Sequence, residues 1–412
     1  MIHYIRFSNF YSFLDEQEIS FVVDKRAPDG TGYVQSAFGP RLTRVLACFG
    51  ANASGKTNAL KTVAFLRTMA CDSYGFRPEE RLPFSPFAGQ ADKGHTTDFE
   101  VLFEMEDRLV RYSFAATPER LLNERLDTKG TEGNFRRVVS RTFDPDSQSY
   151  TVRINRKLGL FSTRIHDNAL RHRGNASLIA IAAQAEDPFC GAVQRYWQQI
   201  HVDPVLTHRA GAGRKERVQW ASRFFLKNKE HLRTAEKIAR KWDLGIDGIQ
   251  VYPAGVATMT VAEEQAPYGD VPEVEAIVTH TSNGHRFDMP IHMESGGTQE
   301  IFIRMAEILP IIEAGGFAVL DEADLDLHPY LVEALLDLFR SKYPTHHSRL
   351  FCTLHNVAVM NTLDKCQILL VEKNEALRSE LWRLDELEGV RNDENFLGAY
   401  MSGVYDAVPD VY

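Results

Sequence analysis

The stretch Gly50-Ala51-Asn52-Ala53-Ser54-Gly55-Lys56-Thr57 decides how this chain is read. It has the form G-x-x-x-x-G-K-[ST], a loop whose backbone cradles phosphates. Before it, Arg44-Val45-Leu46-Ala47-Cys48-Phe49 is a short apolar run suited to a buried parallel strand. After it, Leu60, Val63, Ala64 and Leu66 give Asn58 to Met69 a helical period. An ordinary glycine-rich turn does not need this order of strand, loop and helix; a phosphate loop does. Backbone N–H groups of the loop and of the helix start would hold the phosphates. Lys56 would neutralise the β- and γ-phosphates, and Thr57 would set its hydroxyl on Mg2+. Gly50 and Gly55 stand where the chain turns in ways that side chains obstruct. The candidate contacts are Gly50, Asn52, Ser54, Gly55, Lys56, Thr57 and Asn58.

Three later segments extend this reading. Ser295-Gly296-Gly297-Thr298-Gln299 opens a helix, with Ser295 as its cap and the two glycines leaving amides open to an anion. Taken alone, it is equally a plain loop and helix start. About 25 residues later, Phe317-Ala318-Val319-Leu320 reads as an apolar strand ending in Asp321-Glu322. That placement suits Asp321 to Mg2+ and Glu322 to polarising an attacking water as general base. Two carboxylates in a surface turn would not follow four apolar residues. His355 follows the apolar run Leu350 to Leu354 and is a candidate sensor of the γ-phosphate, although a lone histidine at a strand end is more often structural. His328-Pro329 reads either as a turn with proline at the first helical position or as a loop crossing to a second subunit.

The bulk properties narrow the class. The 412 residues are 44% hydrophobic and carry a formal net charge of −9, which argues against indiscriminate coating of nucleic acid. Cys48, Cys71, Cys190, Cys352 and Cys366 are scattered without metal or disulfide spacing, as expected of reduced thiols. There is no signal-peptide pattern at Met1-Ile2-His3-Tyr4-Ile5-Arg6 and no run near 18 apolar residues. A cytoplasmic location without membrane contact is the expectation.

Alternation marks strands over 2–23 and 97–117, with turn-rich strand pieces to 165. From 166 the chain becomes helix-prone. Arg209, Arg214, Lys215, Arg217, Arg223, Lys227, Lys229, Arg233, Lys237, Arg240 and Lys241 are set against only Glu216, Glu230 and Glu236. This basic 209–241 segment is either a solvated face or a surface for DNA. No heptad is sustained, so a long coiled-coil arm is excluded. The expected division is a lobe over 1–165 with the phosphate loop and a β-subdomain, a compact and partly basic helical insertion over 166–271, and a second lobe over 272–412.

Together these segments resemble the ATP-binding-cassette ATPases, in the soluble branch with the SMC, RecF and OLD proteins. Ile5-Arg6-Phe7-Ser8-Asn9-Phe10 and Ser12-Phe13 resemble the opening of those proteins. Asp321-Glu322-Ala323-Asp324-Leu325-Asp326-Leu327-His328-Pro329 is similar to their segment of carboxylates followed by Leu-His-Pro, with Ala323 in place of the usual proline. The resemblance implies an α/β P-loop NTPase, an ABC-ATPase-like head with flanking antiparallel strands. It also implies a homodimer or higher oligomer, in which two heads sandwich ATP and Mg2+ and the Ser295, Gly296 and Gly297 loop completes the partner's site. Gln90 and Gln184 are the candidates for the glutamine that such heads use to sense nucleotide.

The tail, Gly389-Val390-Arg391-Asn392-Asp393 through Tyr400, Gly403, Tyr405 and Val408-Pro409, resembles AAA-type ATPases of bacterial abortive-infection and anti-phage loci, the RloA and AbiL-like group. That likeness implies a nucleotide-driven switch. Too little chain follows residue 372 for the nuclease domain of OLD proteins, so the switch would act on a separate effector, a nuclease or toxin. A DNA-repair clamp of the RecF/SMC type is the alternative from a different class. A nucleotide-locked scaffold is disfavoured by Glu322, and a transporter subunit by the absence of a leucine-led signature.

Overall fold

The computed structural model describes residues 1–25, 27–89, 96–162, 168–207, 213–253, 274–341 and 347–408. The chain opens with β1 (Ile2–Ser8), β2 (Gln17–Ser20), β3 (Val22–Val23), β4 (Tyr33–Gln35), β5 (Arg41–Thr43) and β6 (Val45–Phe49), and then α1 (Lys56–Cys71). An antiparallel run follows: β7 (Thr97–Met105), β8 (Arg108–Ala116), β9 (Leu121–Lys129), β10 (Arg136–Asp144) and β11 (Ser149–Ile154). Next come α2 (Asn168–His172), α3 (Leu178–Gln184), α4 (Pro188–Gln198), β12 (Ile200–Val202), α5 (Arg214–Lys227) and α6 (Lys229–Lys241). The rest is β13 (Gly248–Pro253), β14 (Val274–Ser282), β15 (His285–Pro290), α7 (Gly296–Ala314), β16 (Phe317–Leu320), α8 (Pro329–Arg340), β17 (Arg349–Thr353), β18 (Ile368–Lys373), β19 (Ser379–Arg383) and α9 (Phe396–Met401).

The central sheet has the order β12-β16-β17-β6-β18-β19, parallel except for the last pair. β6, β16 and β17 are buried at every residue, which is why they read as continuous apolar runs rather than alternating ones. Successive residues still face opposite ways. Leu46 and Cys48 enter one core with α1, while Val45, Ala47 and Phe49 enter a second core with α7 and α8. The first core is closed by a sheet of order β11-β10-β9-β8-β7-β1-β2, where Phe7, Phe10, Phe65, Phe99 and Phe114 pack ring on ring. The result is an α/β P-loop fold with a flanking antiparallel sheet.

A compact helical insertion was the expectation over 166–271; among the described residues, the elements there divide between the two cores. Leu178, Ile179, Val193 and Trp197 of α3 and α4 belong to the first core. β12 is an edge strand of the central sheet, paired with β16 through Ile200↔Phe317. α5 and α6 pack with β13, β14 and α7 in the second core. A three-residue strand carries no readable period, so nothing in the sequence signalled that the chain re-enters the sheet here. Both expected boundaries of this stretch fall among residues outside those described. Among the described residues no helix is long and apolar enough to cross a membrane.

Candidate functional site

The phosphate loop leaves the C-terminal end of β6. Gly50 and Gly55 hold φ of 149° and 119°. A Cβ on Gly50 would stand 2.1 Å from the Val371 carbonyl oxygen, and one on Gly55 2.5 Å from Ser379 Oγ. Both positions therefore require glycine. Gly55 precedes α1 without any side-chain cap, which leaves the first amides of the helix available to an anion. Lys56 is buried and its Nζ donates to the Gly50 and Ala51 carbonyls at 2.8 and 3.0 Å. Burial pulls this ammonium below the usual lysine value, against the pull of nearby Asp321, Asp324 and Glu322. Ser54 Oγ is buried with no hydrogen-bond partner. Asn58 turns its amide to Ser12 Oγ at 2.9 Å, while Asn52 is exposed.

Across the sheet, Thr57 Oγ1 donates to the Asp321 carboxylate at 3.0 and 3.2 Å. Thr353 at the end of β17 donates its hydroxyl to Asp321 Oδ1 at 2.6 Å and accepts the Glu322 amide at 2.7 Å. Its carbonyl takes the Ala323 amide at 3.1 Å. One buried threonine thus sets both carboxylate-bearing residues. Glu322 sits in the left-handed region, with φ of 45°, and its half-exposed carboxylate lies 3.5 Å from His355 Nε2. Asp324 is buried and accepts the His355 and Asn356 amides at 2.7 and 2.5 Å. Sequence reasoning missed Thr353 and Asp324. Their signal was faint: a hydroxyl within an apolar strand and one acid in an Asp-Leu alternation.

An uncapped helix start, two glycine-only turns, an orphaned Ser54 hydroxyl and a Thr57–Asp321 pair fit a magnesium nucleotide. A cavity of about 560 Å³ opens beside the first turn of α1, lined by Tyr11, Ser12, Asn58, Phe87, Leu377 and Arg378. Gln184 closes α3 on the surface, and Gln90 lies outside the described residues.

The second glycine loop faces elsewhere. Ser295 caps α7, its Oγ accepting the Thr298 amide at 3.2 Å. A Cβ on Gly297 would lie 2.7 Å from the Asp326 carbonyl oxygen, and one on Gly296 3.0 Å from Arg214 Nη1. The atoms nearest these glycines thus belong to Arg214 and Asp326, not to residues 50–58. His328 caps α8, its Nδ1 accepting the Tyr330 amide at 3.3 Å, with Pro329 in the first turn. Met293, Leu325 and Tyr330 around this loop expose 63%, 41% and 76% of their surface. Below them Arg304 is fully buried, paired with Glu300 (2.9 Å), Glu307 (3.0 Å) and Asp203 (3.1 Å), and donates to the Asp321 carbonyl at 3.2 Å.

The basic 209–241 segment is less free than its composition implies. Arg209 lies outside the described residues. Arg217 forks onto Glu300 at 3.0 and 3.1 Å and reaches Glu307 at 3.5 Å. Arg240 pairs with Glu236 at 2.6 Å, and Arg214 pairs with Asp326. For Arg214 and Arg217 the acids lie far away in sequence, at Asp326, Glu300 and Glu307, which a local count cannot see.

Comparison with known proteins adds the family. Three solved structures are similar at 93% coverage of this chain. A Smc head bound to the C-winged helix domain of ScpA has 14% identity, 99% of its own chain covered and a TM-score of 0.47. The SMC head domain from Thermotoga maritima has 15% identity, 98% covered and a TM-score of 0.43. A Smc head domain with an extended coiled coil bound to the C-terminal domain of ScpA, derived from Pyrococcus furiosus, has 12% identity, 97% covered and a TM-score of 0.41. No curated protein matches the chain. A family model described as "AAA domain, putative AbiEii toxin, Type IV TA system" matches residues 47–361, a span that takes in the phosphate loop, both carboxylates and the Ser295 loop. The chain belongs to this AAA-domain family.

Proposed function

We propose that the chain is a Mg2+-dependent ATPase that dimerises around ATP and acts as a nucleotide-driven switch in bacterial anti-phage defence, controlling a separate effector. The observation that carries the ATPase reading is the meeting of Thr57 and Asp321 at 3.0 Å beside buried Lys56. Thr57 and Asp321 would hold the metal, which would supply positive charge to neutralise the phosphates. The amides of 50–57 hold the phosphates, with Lys56 exchanging its carbonyl partners for phosphate oxygens. Glu322 orients the attacking water and takes its proton, and His355 steadies that carboxylate.

The dimer reading is supported by the Ser295 loop, whose glycines face Arg214 and Asp326 and so have no nucleotide to hold within their own chain. Exposed Met293, Leu325 and Tyr330 give the same face an apolar fringe. In this reading the lobe 1–165 carries the phosphate loop, 272–412 carries the carboxylates and the Ser295 loop, and 166–271 joins them. A switch of this kind needs ATP to favour the closed dimer over the open one. The defence role leans on the family description, which names a toxin of a type IV system, and on the tail resemblance. DNA contact by 209–241 is less favoured, because Arg214, Arg217 and Arg240 are engaged by acids.

The test is the solution mass of wild type and Glu322→Gln with and without Mg2+-ATP, together with phosphate release. A larger, ATP-dependent assembly trapped by Glu322→Gln, with hydrolysis down by about a hundredfold or more, is the expected result. A mass that ignores ATP and a variant that hydrolyses normally would sink both the sandwich and the base.

A further inference from the structure

Arg214 and Arg217 stand one turn apart on α5 and live in opposite settings. Arg217 is tied to Glu300 and Glu307, carboxylates exposed by only 0% and 5%. It fixes the start of α5 against α7. Arg214 instead reaches Asp326, and both side chains are 42% exposed. Its guanidinium lies over the Ser295 turn, where a Cβ on Gly296 would be 3.0 Å away.

This is an unfavourable place for a cation. Arg214 is the first residue of α5 and lies against the first residue of α7, so it faces the positive poles of two helices. Two carboxylates, half-exposed Asp326 and Glu216 in the first turn of α5, are set against three positive sources. Such an arrangement accepts a further, more highly charged anion readily. Arginine's planar fork suits phosphate, and a terminal phosphate carries more charge and more acceptor oxygens than a carboxylate.

We propose that Arg214 is a catalytic residue acting across the dimer: its guanidinium leaves Asp326 for the terminal phosphate of ATP held at the other chain's Lys56 loop. The proposal rests on the sandwich reading above. In the reaction, the water oxygen bonds to the terminal phosphorus as the bond to the bridging oxygen of ADP breaks. ADP leaves with the electron pair, and the water proton passes to Glu322. Arg214 neutralises charge on the equatorial oxygens of that transition state. Asp326, whose carbonyl lies close to Gly297, holds the guanidinium ready while no nucleotide is presented.

The test is complementation. Arg214→Ala and Glu322→Gln are each expected to lose hydrolysis, the former by on the order of a thousandfold. Mixed before ATP is added, they should regain a first turnover at about a quarter of all sites, because half of the dimers carry one complete site. Ser295→Arg mixed with Glu322→Gln reports on the sandwich alone. Rescue in the Ser295 pair but not in the Arg214 pair overturns the trans arginine and leaves the sandwich standing. Failure of both pairs overturns the sandwich, and the arginine with it. Folding is controlled by binding of a fluorescent ATP analogue to dilute Arg214→Ala, expected to match wild type. Arg214→Lys keeps the charge without the fork and is expected to remain at least about tenfold slow; Arg214→Ala or Arg214→Lys at near wild-type rate would refute the role.

Discussion

The phosphate loop and the Ser295 loop are both glycine turns that open a helix, yet they are furnished in opposite ways. The first is closed by its own chain: Lys56 bonds to Gly50 and Ala51, and Thr57 meets Asp321. It lies at the end of β6, between the two cores. The second spends its serine on a helix cap and sets Arg214, Met293, Leu325 and Tyr330 toward the outside. A loop of the first kind can bind a ligand alone. A loop of the second kind turns its groups outward, and the proposed mechanism, in which they serve a second chain, turns on that difference.

The largest effects should separate the two loops. Lys56→Ala is expected to abolish both ATP binding and hydrolysis. Ser295→Arg should lower hydrolysis by about a hundredfold or more while leaving ATP binding to the dilute chain intact. Equilibrium binding beside phosphate release reads the difference, and equal loss of binding in both variants would erase the contrast. Gly297→Ala is a subtler form of the same test. Its Cβ would press the Asp326 carbonyl at 2.7 Å, so a stability loss of about 1–3 kcal/mol in chemical denaturation is expected.

Thr353→Val sharpens the first loop rather than the second. It removes the hydroxyl that Asp321 and the Glu322 amide share, and leaves a partly buried amide without that acceptor. A loss of about 1–3 kcal/mol is expected, with a higher Mg2+ concentration needed for half-maximal hydrolysis. An unchanged Mg2+ requirement would separate Thr353 from the metal site.

The smallest effect lies at the sheet edge, away from both loops. Burial pulls His201 on β12 below the usual histidine value, and its Nε2 has no hydrogen-bond partner. A base whose folded pKa is lowered is neutral in the fold, so the unfolded chain binds the extra proton. Stability should therefore be complete above about pH 6.5 and decline as pH falls below it, and His201→Gln should flatten that decline. Denaturation midpoints between pH 5 and 8 check this; an equal slope in the variant assigns the decline to other groups.

What the sequence made legible was contiguous. Strand, glycine loop and helix follow one another over residues 45–71, and the apolar strand before Asp321-Glu322 is adjacent to them, so short-range pattern suffices. Thr353, Asp324 and Arg214 were not legible as partners, because each meets its group only when distant segments pair. Thr353 reaches Asp321 through the β16–β17 register, and Arg214 reaches Asp326 through the packing of α5 on α7. The same reason explains the basic segment. Charge counted along 209–241 looks unpaired, whereas Glu300 and Glu307 approach Arg217 from another helix.

Arg304 gives the molecule a linchpin. One guanidinium grips α7 through Glu300 and Glu307, the chain after β12 through Asp203, and the backbone at Asp321. A second chain that tilts α7 by pressing on its exposed start would exert torque on this pin. The motion would arrive at the backbone carbonyl of the residue that faces Thr57, so each head would feel its neighbour as a displacement of its own carboxylates.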